Sequence, residues 1–236
     1  MFITSKQIAR VFITAMLPVT LLIFATESRS EDTVQKDALS ISAQTAVDVY
    51  APKASKGKCP LIILSHNGGA KKEDWGDFPS ELASKGYVVA NIGWNDFAGH
   101  DDYKAAMDAV MKKYADKADQ SRVAFVGGCH GAIKMIDMLN DSADAIKLRS
   151  IVFLSVSEGN EIAGAHAPIL GVYSTDDHLG SYYIGFTKHY VEDLITAPKK
   201  AVAFNGTPHG NELVTDAKSK DQIRKEIYGW LAANFK

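Results

Sequence analysis

Arginine and cysteine are the scarce residues of this 236-residue chain. It has two cysteines, Cys59 and Cys129, and beyond residue 30 its only arginines are Arg122, Arg149 and Arg224. With 26 basic residues against 28 acidic ones and a net charge of −2, it has no basic surplus to follow a phosphate backbone, so nucleic acid is not an expected partner. There is no internal repeat, low-complexity tract or linker, which argues against a repeat array or a string of small domains. The seven histidines fit no metal-ligand spacing. Neither a metal nor an organic cofactor is expected.

Long apolar runs are missing too, with one exception at the start of the chain. Lys6 and Arg10 precede the run from Val11 to Ala25, and the small residues Ser28 and Ser30 follow it. The run contains Pro18 and falls short of the roughly 20 residues a membrane span needs. This is the layout of a secretory signal peptide, with a retained anchor as the competing reading. Residues 1–30 are therefore expected to be cleaved, leaving a protein exported to the periplasm or the medium with no membrane attachment. Their removal takes away Lys6, Arg10, Arg29 and Glu27 and moves the net charge from −2 to −4. Residues 31–44 form a polar lead-in, and residues 45–236 suit a single α/β domain with a substantial core.

The most informative stretch runs from Ser121 to Asp141. Arg122 to Val126 is a short apolar run of the kind that fills a strand buried on both faces, and Ile133, Ile136 and Leu139 then recur at helical spacing. The period changes at Cys129. Gly127 and Gly131 flank it in the pattern G-x-Cys-x-G, that of a nucleophile elbow with cysteine in the serine position. A strand turning sharply into a helix strains its apex residue and brings two backbones together, so neighbours without Cβ are needed. The apex side chain stands exposed at a helix N-terminus, where the dipole favours a thiolate over a thiol.

The remaining pattern alternates strands and helices. Strands are expected at 45–50, 61–65, 87–92, 150–155, 169–173 and 200–204, and helices at 78–84, 102–118, 183–194 and 221–235. This order predicts a mostly parallel β-sheet with helices on both faces and no lid domain. Ligand sites in such sheets gather at the strand C-terminal ends. There the sequence reads His66-Asn-Gly-Gly-Ala, then Ser-Thr-Asp176-Asp177-His178, then Asn-Gly-Thr-Pro-His209-Gly. A nucleophile, an acid (Asp176 or Asp177) and a base thus appear in the chain order of α/β-hydrolase triads. Trp94, Asn95 and Asp96 follow another strand and are candidates for the pocket wall, together with Asn67. Cys59 begins a strand whereas Cys129 ends one, which puts them at opposite edges of a parallel sheet. They are too far apart for the Cα separation of about 7 Å that a disulfide allows.

Taken together, DVYAPKASKGKCPLIILSHNGG, SKGYVVANIGW, VAFVGGCHGA, ILGVYSTDD and GTPHG resemble the α/β-hydrolase superfamily, and within it the dienelactone hydrolase family. That resemblance implies an α/β-hydrolase fold, Cys129 as nucleophile, Asp177 as acid and His209 as base. The N–H groups of His130 and Gly68 would be the oxyanion donors. It further implies hydrolysis of a small-molecule ester-type substrate (a carboxylic ester, lactone or thioester) through an acyl-cysteine. Ala132 and Asn67 depart from the family pattern, each standing where glycine is usual. No arginine falls where that family holds a substrate carboxylate. The alternative reading is a non-catalytic binding or redox-sensing protein on the same fold.

Overall fold

The computed structural model describes residues 33–141, 147–156, 167–194 and 197–236; the expected signal segment lies outside them. Among the described residues the chain runs β1 (Val34–Ser40), β2 (Thr45–Pro52), β3 (Cys59–Ser65), α1 (Phe78–Ser84), β4 (Val88–Trp94), α2 (His100–Lys113), β5 (Ala118–Gly128) and α3 (His130–Asp141). It continues through β6 (Leu148–Leu154), β7 (Ile169–Ser174), α4 (Ser181–His189), β8 (Lys199–Phe204) and α5 (Lys220–Asn234).

Successive side chains of a strand point to opposite faces, and here both faces are apolar. Leu61 and Ile63 of β3, Val123 and Phe125 of β5, and Ile151 and Phe153 of β6 enter one core with α2 and α3. The intervening Ile62, Leu64, Ala124, Val126, Val152 and Leu154 enter a second core with α1 and α5. Covering on both sides is why these strands read as continuous apolar runs. No helix among the described residues is long and apolar enough to cross a membrane.

The strand order is β1-β2-β4-β3-β5-β6-β7-β8. The six strands from β4 to β8 in that order pair in parallel, each with its neighbour, while β2 runs antiparallel to β4 and the edge strand β1 antiparallel to β2. From β3 the chain passes over one face through α1 to β4, then over the other through α2 to β5 on the far side of β3. The reversal opens a crevice at the C-terminal ends of β3 and β5, the topological switch point where such sheets bind ligands.

The polar lead-in is a correction to the sequence reading, because Val34 to Ser40 is a strand paired along its whole length with β2. Its polar residues suit an edge: Lys36 reaches Asp48 on β2 at 2.9 Å, and Asp37 accepts the Tyr114 hydroxyl at 2.7 Å. α2 begins two residues earlier than expected, at His100, after the capping Gly99, whose N–H donates to Asp102 at 3.0 Å. It also stops earlier, since residues after Lys113 form a turn in which Ala118 N–H reaches the Tyr114 carbonyl at 2.7 Å. Cys59 pairs with Ala118 at the opening of β3, at the edge opposite Cys129, and both cysteines are free.

α5 is tied to α1 by one buried side chain. The Arg224 guanidinium donates to Asp77 and Glu81 at 2.5 Å each, and its Nε donates to the Val214 carbonyl at 2.7 Å. The hydrogen bond from Arg224 holds the Asp77 carboxyl below its usual range, overriding the opposing effect of burial. Arg224→Met keeps the aliphatic stem but strands the Val214 carbonyl. It is expected to cost about 2 kcal/mol, read as a lower urea midpoint with an unchanged slope.

Candidate active site

Gly128 is the last residue of β5, and Cys129 turns the chain directly into α3. Its φ is 47°, in the left-handed region that costs a residue with Cβ about 1–3 kcal/mol. Cys129 N–H donates to the Leu154 carbonyl at 2.9 Å, and its own carbonyl accepts from Ala132 N–H at 3.0 Å. Gly131 lets α3 descend onto the end of β3: a Cβ there would sit 2.3 Å from the His66 carbonyl oxygen. A Cβ on Gly127 would likewise meet the Ala132 Cα at 2.8 Å. The two glycines of the G-x-Cys-x-G pattern are both required by backbone crowding.

Asp177 lies past β7 and His209 past β8. The His209 loop is drawn back over the sheet edge by Asp176 N–H to Gly206 O and His178 N–H to Thr207 O, both 3.0 Å. His209 Nδ1 lies 2.7 Å from Asp177 Oδ2, both side chains being about 2% exposed or less. The other Asp177 oxygen accepts Leu179 N–H at 3.0 Å. Asp176 instead faces solvent and takes the Thr175 hydroxyl at 3.1 Å. Burial alone would lower the His209 pKa, but the hydrogen bond to Asp177 and the charges of Asp177 and the Cys129 sulfur raise it to about 9. Cys129, Asp177 and His209 thus lie just past β5, β7 and β8, at the C-terminal ends of the strands.

The crevice holds a pocket of about 500 Å³ lined by Gly68, Trp94, Asp96, Cys129, His130 and Lys134, among others. A second hollow of about 530 Å³, around Glu81, Arg224 and Tyr228, lies on the α1/α5 face with no cysteine, serine or histidine in its lining. At the start of α3 the His130 N–H has no intrahelical acceptor, and the Gly68 backbone lines the same pocket. Among the described residues no group of three or more His, Cys, Asp or Glu could hold a metal.

Asn67, expected in the pocket wall, turns inward instead. Its side-chain oxygen accepts Asn211 N–H at 3.0 Å and its Nδ2 donates to the His209 carbonyl at 3.2 Å. Asn211 returns the bond, accepting Asn67 N–H at 3.2 Å. Glu212 adds another anchor: one carboxylate oxygen takes His209 N–H and lies against His178 Nε2, each at 2.9 Å. Neither Asn211 nor Glu212 stands out in the sequence. Behind the pocket, burial lowers the His66 pKa and keeps its ring neutral. Its Nε2 accepts Trp94 N–H at 3.2 Å and its Nδ1 donates to the Asn67 carbonyl at 2.8 Å. The ring stacks on Trp94 with centroids 4.7 Å apart, and the Trp94 Nε1–H bonds Ser65, which bonds Tyr103. Lys134 Nζ, held by the Ala98 carbonyl at 2.7 Å, sits over the Trp94 ring.

Asn67→Ala would leave the Asn211 N–H and His209 carbonyl without these buried partners, at a cost of about 1–3 kcal/mol. The expected result is a lower Tm, together with a kcat loss larger than any change in KM, because the His209 loop drifts while the pocket wall stays. Thermal unfolding and steady-state kinetics of the variant read both.

A sequence model of the platelet-activating factor acetylhydrolase, isoform II, family matches residues 23–126, stopping just before the elbow. No curated protein matches the chain. Among solved structures, a bacterial heroin esterase is similar with a TM-score of 0.70 at 16% identity, over 89% of this chain and 87% of that one. A provisionally assigned dienelactone hydrolase from Klebsiella pneumoniae subsp. pneumoniae is similar with a TM-score of 0.62 at 18% identity, over 84% of this chain and 98% of that one. The common ground is architecture: this chain has the α/β-hydrolase fold.

Proposed function

We propose that the protein hydrolyses an ester-type bond, whether carboxylic ester, lactone or thioester, through a Cys129-His209-Asp177 triad and an acyl-cysteine intermediate. The observation that carries this reading is the buried 2.7 Å contact between His209 and Asp177, directly behind a cysteine held at a strained apex in a pocket. The esterase named among the structural neighbours is consistent with it.

In this mechanism the Cys129 thiolate adds to the substrate carbonyl, and the N–H groups of His130 and Gly68 take the developing oxyanion. Collapse of the tetrahedral intermediate breaks the bond to the leaving oxygen or sulfur, which takes the proton from the His209 imidazolium. The neutral imidazole then accepts a proton from water as it attacks the acyl-cysteine. The second collapse releases the carboxylic acid and restores the thiolate–imidazolium pair. Asp177 fixes the imidazole tautomer and stabilises its cation throughout. Esters suit this site better than amides, because the thiolate is a good leaving group and an amide adduct reverts unless its amine is protonated in time.

With p-nitrophenyl esters of graded chain length, Cys129→Ala should lose turnover and Cys129→Ser should keep little, since a serine hydroxyl stays neutral. Asp177→Asn should lower kcat far more than Asp176→Asn. Wild-type turnover by Cys129→Ala on every ester would sink the proposal.

Stability should carry the mark of the same charges. The His209 pKa is raised from 6.5 to about 9 on folding, so the folded state holds a proton that the unfolded chain has given up. This contribution is complete below about pH 6.5 and is lost as pH rises through about 9. Urea unfolding across that range should show stability falling with pH, and the fall should flatten in Asp177→Asn. An unchanged slope in that variant would mean that Asp177 does not hold the His209 proton.

A further inference from the structure

The thiol of Cys129 meets a second imidazole that the mechanism above leaves unused. His130 Nδ1 lies 3.7 Å from the Cys129 sulfur, within hydrogen-bonding distance for that atom. The ring is exposed and lines the pocket, on the side of the sulfur open to substrate. It is also confined, since it rests on the backbone of Gly68, where a Cβ would come within 3.0 Å of Nδ1. The absence of a side chain at position 68 therefore leaves room for the ring as well as for a substrate oxygen. The charge of the same sulfur also acts on His209, which has Asp177 behind it.

The two imidazoles are not equivalent. Among the described residues no carboxylate forms an ion pair with His130; the charged groups that share its pocket are Lys134, one turn along α3, and Asp96 across the opening. Without a carboxylate to fix its tautomer and stabilise its cation, His130 is poorly suited to replace His209 as the base. What its position allows is donation.

We propose that His130 is a catalytic residue whose Nδ1–H donates a hydrogen bond to the Cys129 thiolate from the pocket side. This rests on the acyl-cysteine reading above and extends it: besides His209, a second imidazole acts on the sulfur from the pocket side. Hydrogen bonds to an ionised acceptor are about twice as strong as neutral ones. The second donor therefore enlarges the thiolate population where the thiol would otherwise be protonated. It also makes each thiolate somewhat less nucleophilic, because stabilising an attacking anion lowers its reactivity. A gain at neutral pH should accordingly disappear in alkali, where the thiol ionises without help. A purely structural role would shift the rate by the same factor at every pH.

The test is alkylation of the folded protein by iodoacetamide across a pH series, with Cys129 followed by peptide mapping and Cys59, at the opposite edge of the sheet, as internal reference. All variants keep the His130 backbone N–H, so the proposed oxyanion donor is untouched. His130→Leu should slow Cys129 alkylation about tenfold near neutrality, with its rate meeting or passing the wild type in alkali. His130→Asn places an amide N–H close to the position of Nδ1 and should retain most of the wild-type rate; thermal unfolding confirms that each variant is folded. Identical profiles for wild type and His130→Leu would overturn the proposal. So would a uniform loss at all pH values, or an Asn variant that behaves like Leu. Because alkylation needs no ester, this outcome is separate from the fate of the hydrolase reading, which Cys129→Ala decides by turnover.

Discussion

The left-handed backbone of Cys129 is the constraint on which the rest of the site depends. Among the described residues only two without glycine's freedom take positive φ, Cys129 at 47° and Ser155 at 51°. They are neighbours in the sheet, each following one member of the paired Gly128 and Leu154. Both bends are pinned by the adjoining strand: Cys129 N–H bonds the Leu154 carbonyl, and Ser155 N–H bonds the Val172 carbonyl at 2.8 Å. Two sharp turns on adjacent parallel strands thus support one another. The crowding of Gly131 against β3 closes the remaining route by which the apex could relax.

Charge in the site is arranged against the tendency of burial. Taking an imidazole out of water disfavours its cation, yet the carboxylate of Asp177 and the sulfur of Cys129 reverse that for His209. His66 shows the other outcome only two residues from Gly68. It has backbone groups for partners, and there burial prevails and the ring stays neutral. One histidine is therefore equipped to carry a proton and the other to act as a fixed spacer between Trp94 and the turn at Asn67. Their partners differ, and that difference divides the two roles.

Much of this was legible in the sequence because it follows from local chemistry. The G-x-Cys-x-G spacing announces crowding that the backbone of α3 and β3 then displays, and apolar runs between turns mark strands covered on both faces. The order of Cys129, Asp177 and His209 past β5, β7 and β8 is also readable, since each lies where a parallel sheet exposes loops. What could not be read are the contacts made across the sheet. Asn67 looked like a wall residue because its position in a glycine-rich turn gives no direction to its side chain. Its partners, Asn211 and Glu212, sit in an unremarkable stretch after His209. The edge strand β1 was missed for another reason: with Lys36, Asp37 and Ser40 it lacks the apolar alternation of an interior strand, and its pairing is recognisable only once β2 is in place beside it.

The reciprocal amide bonds between Asn67 and Asn211 join residues 144 positions apart. Bringing such distant segments together costs chain entropy that only the intervening structure can offset. Gly68 and Cys129 are both made within the first 129 residues. Asp177 and His209 arrive only with the last third, and the His209 carbonyl is then tied to the turn after β3 by Asn67. During synthesis, then, a chain interrupted before Asp177 would hold seven of the eight strands and a Cys129 thiol without either residue. The interval between making that thiol and making His209 is written into the order of the strands.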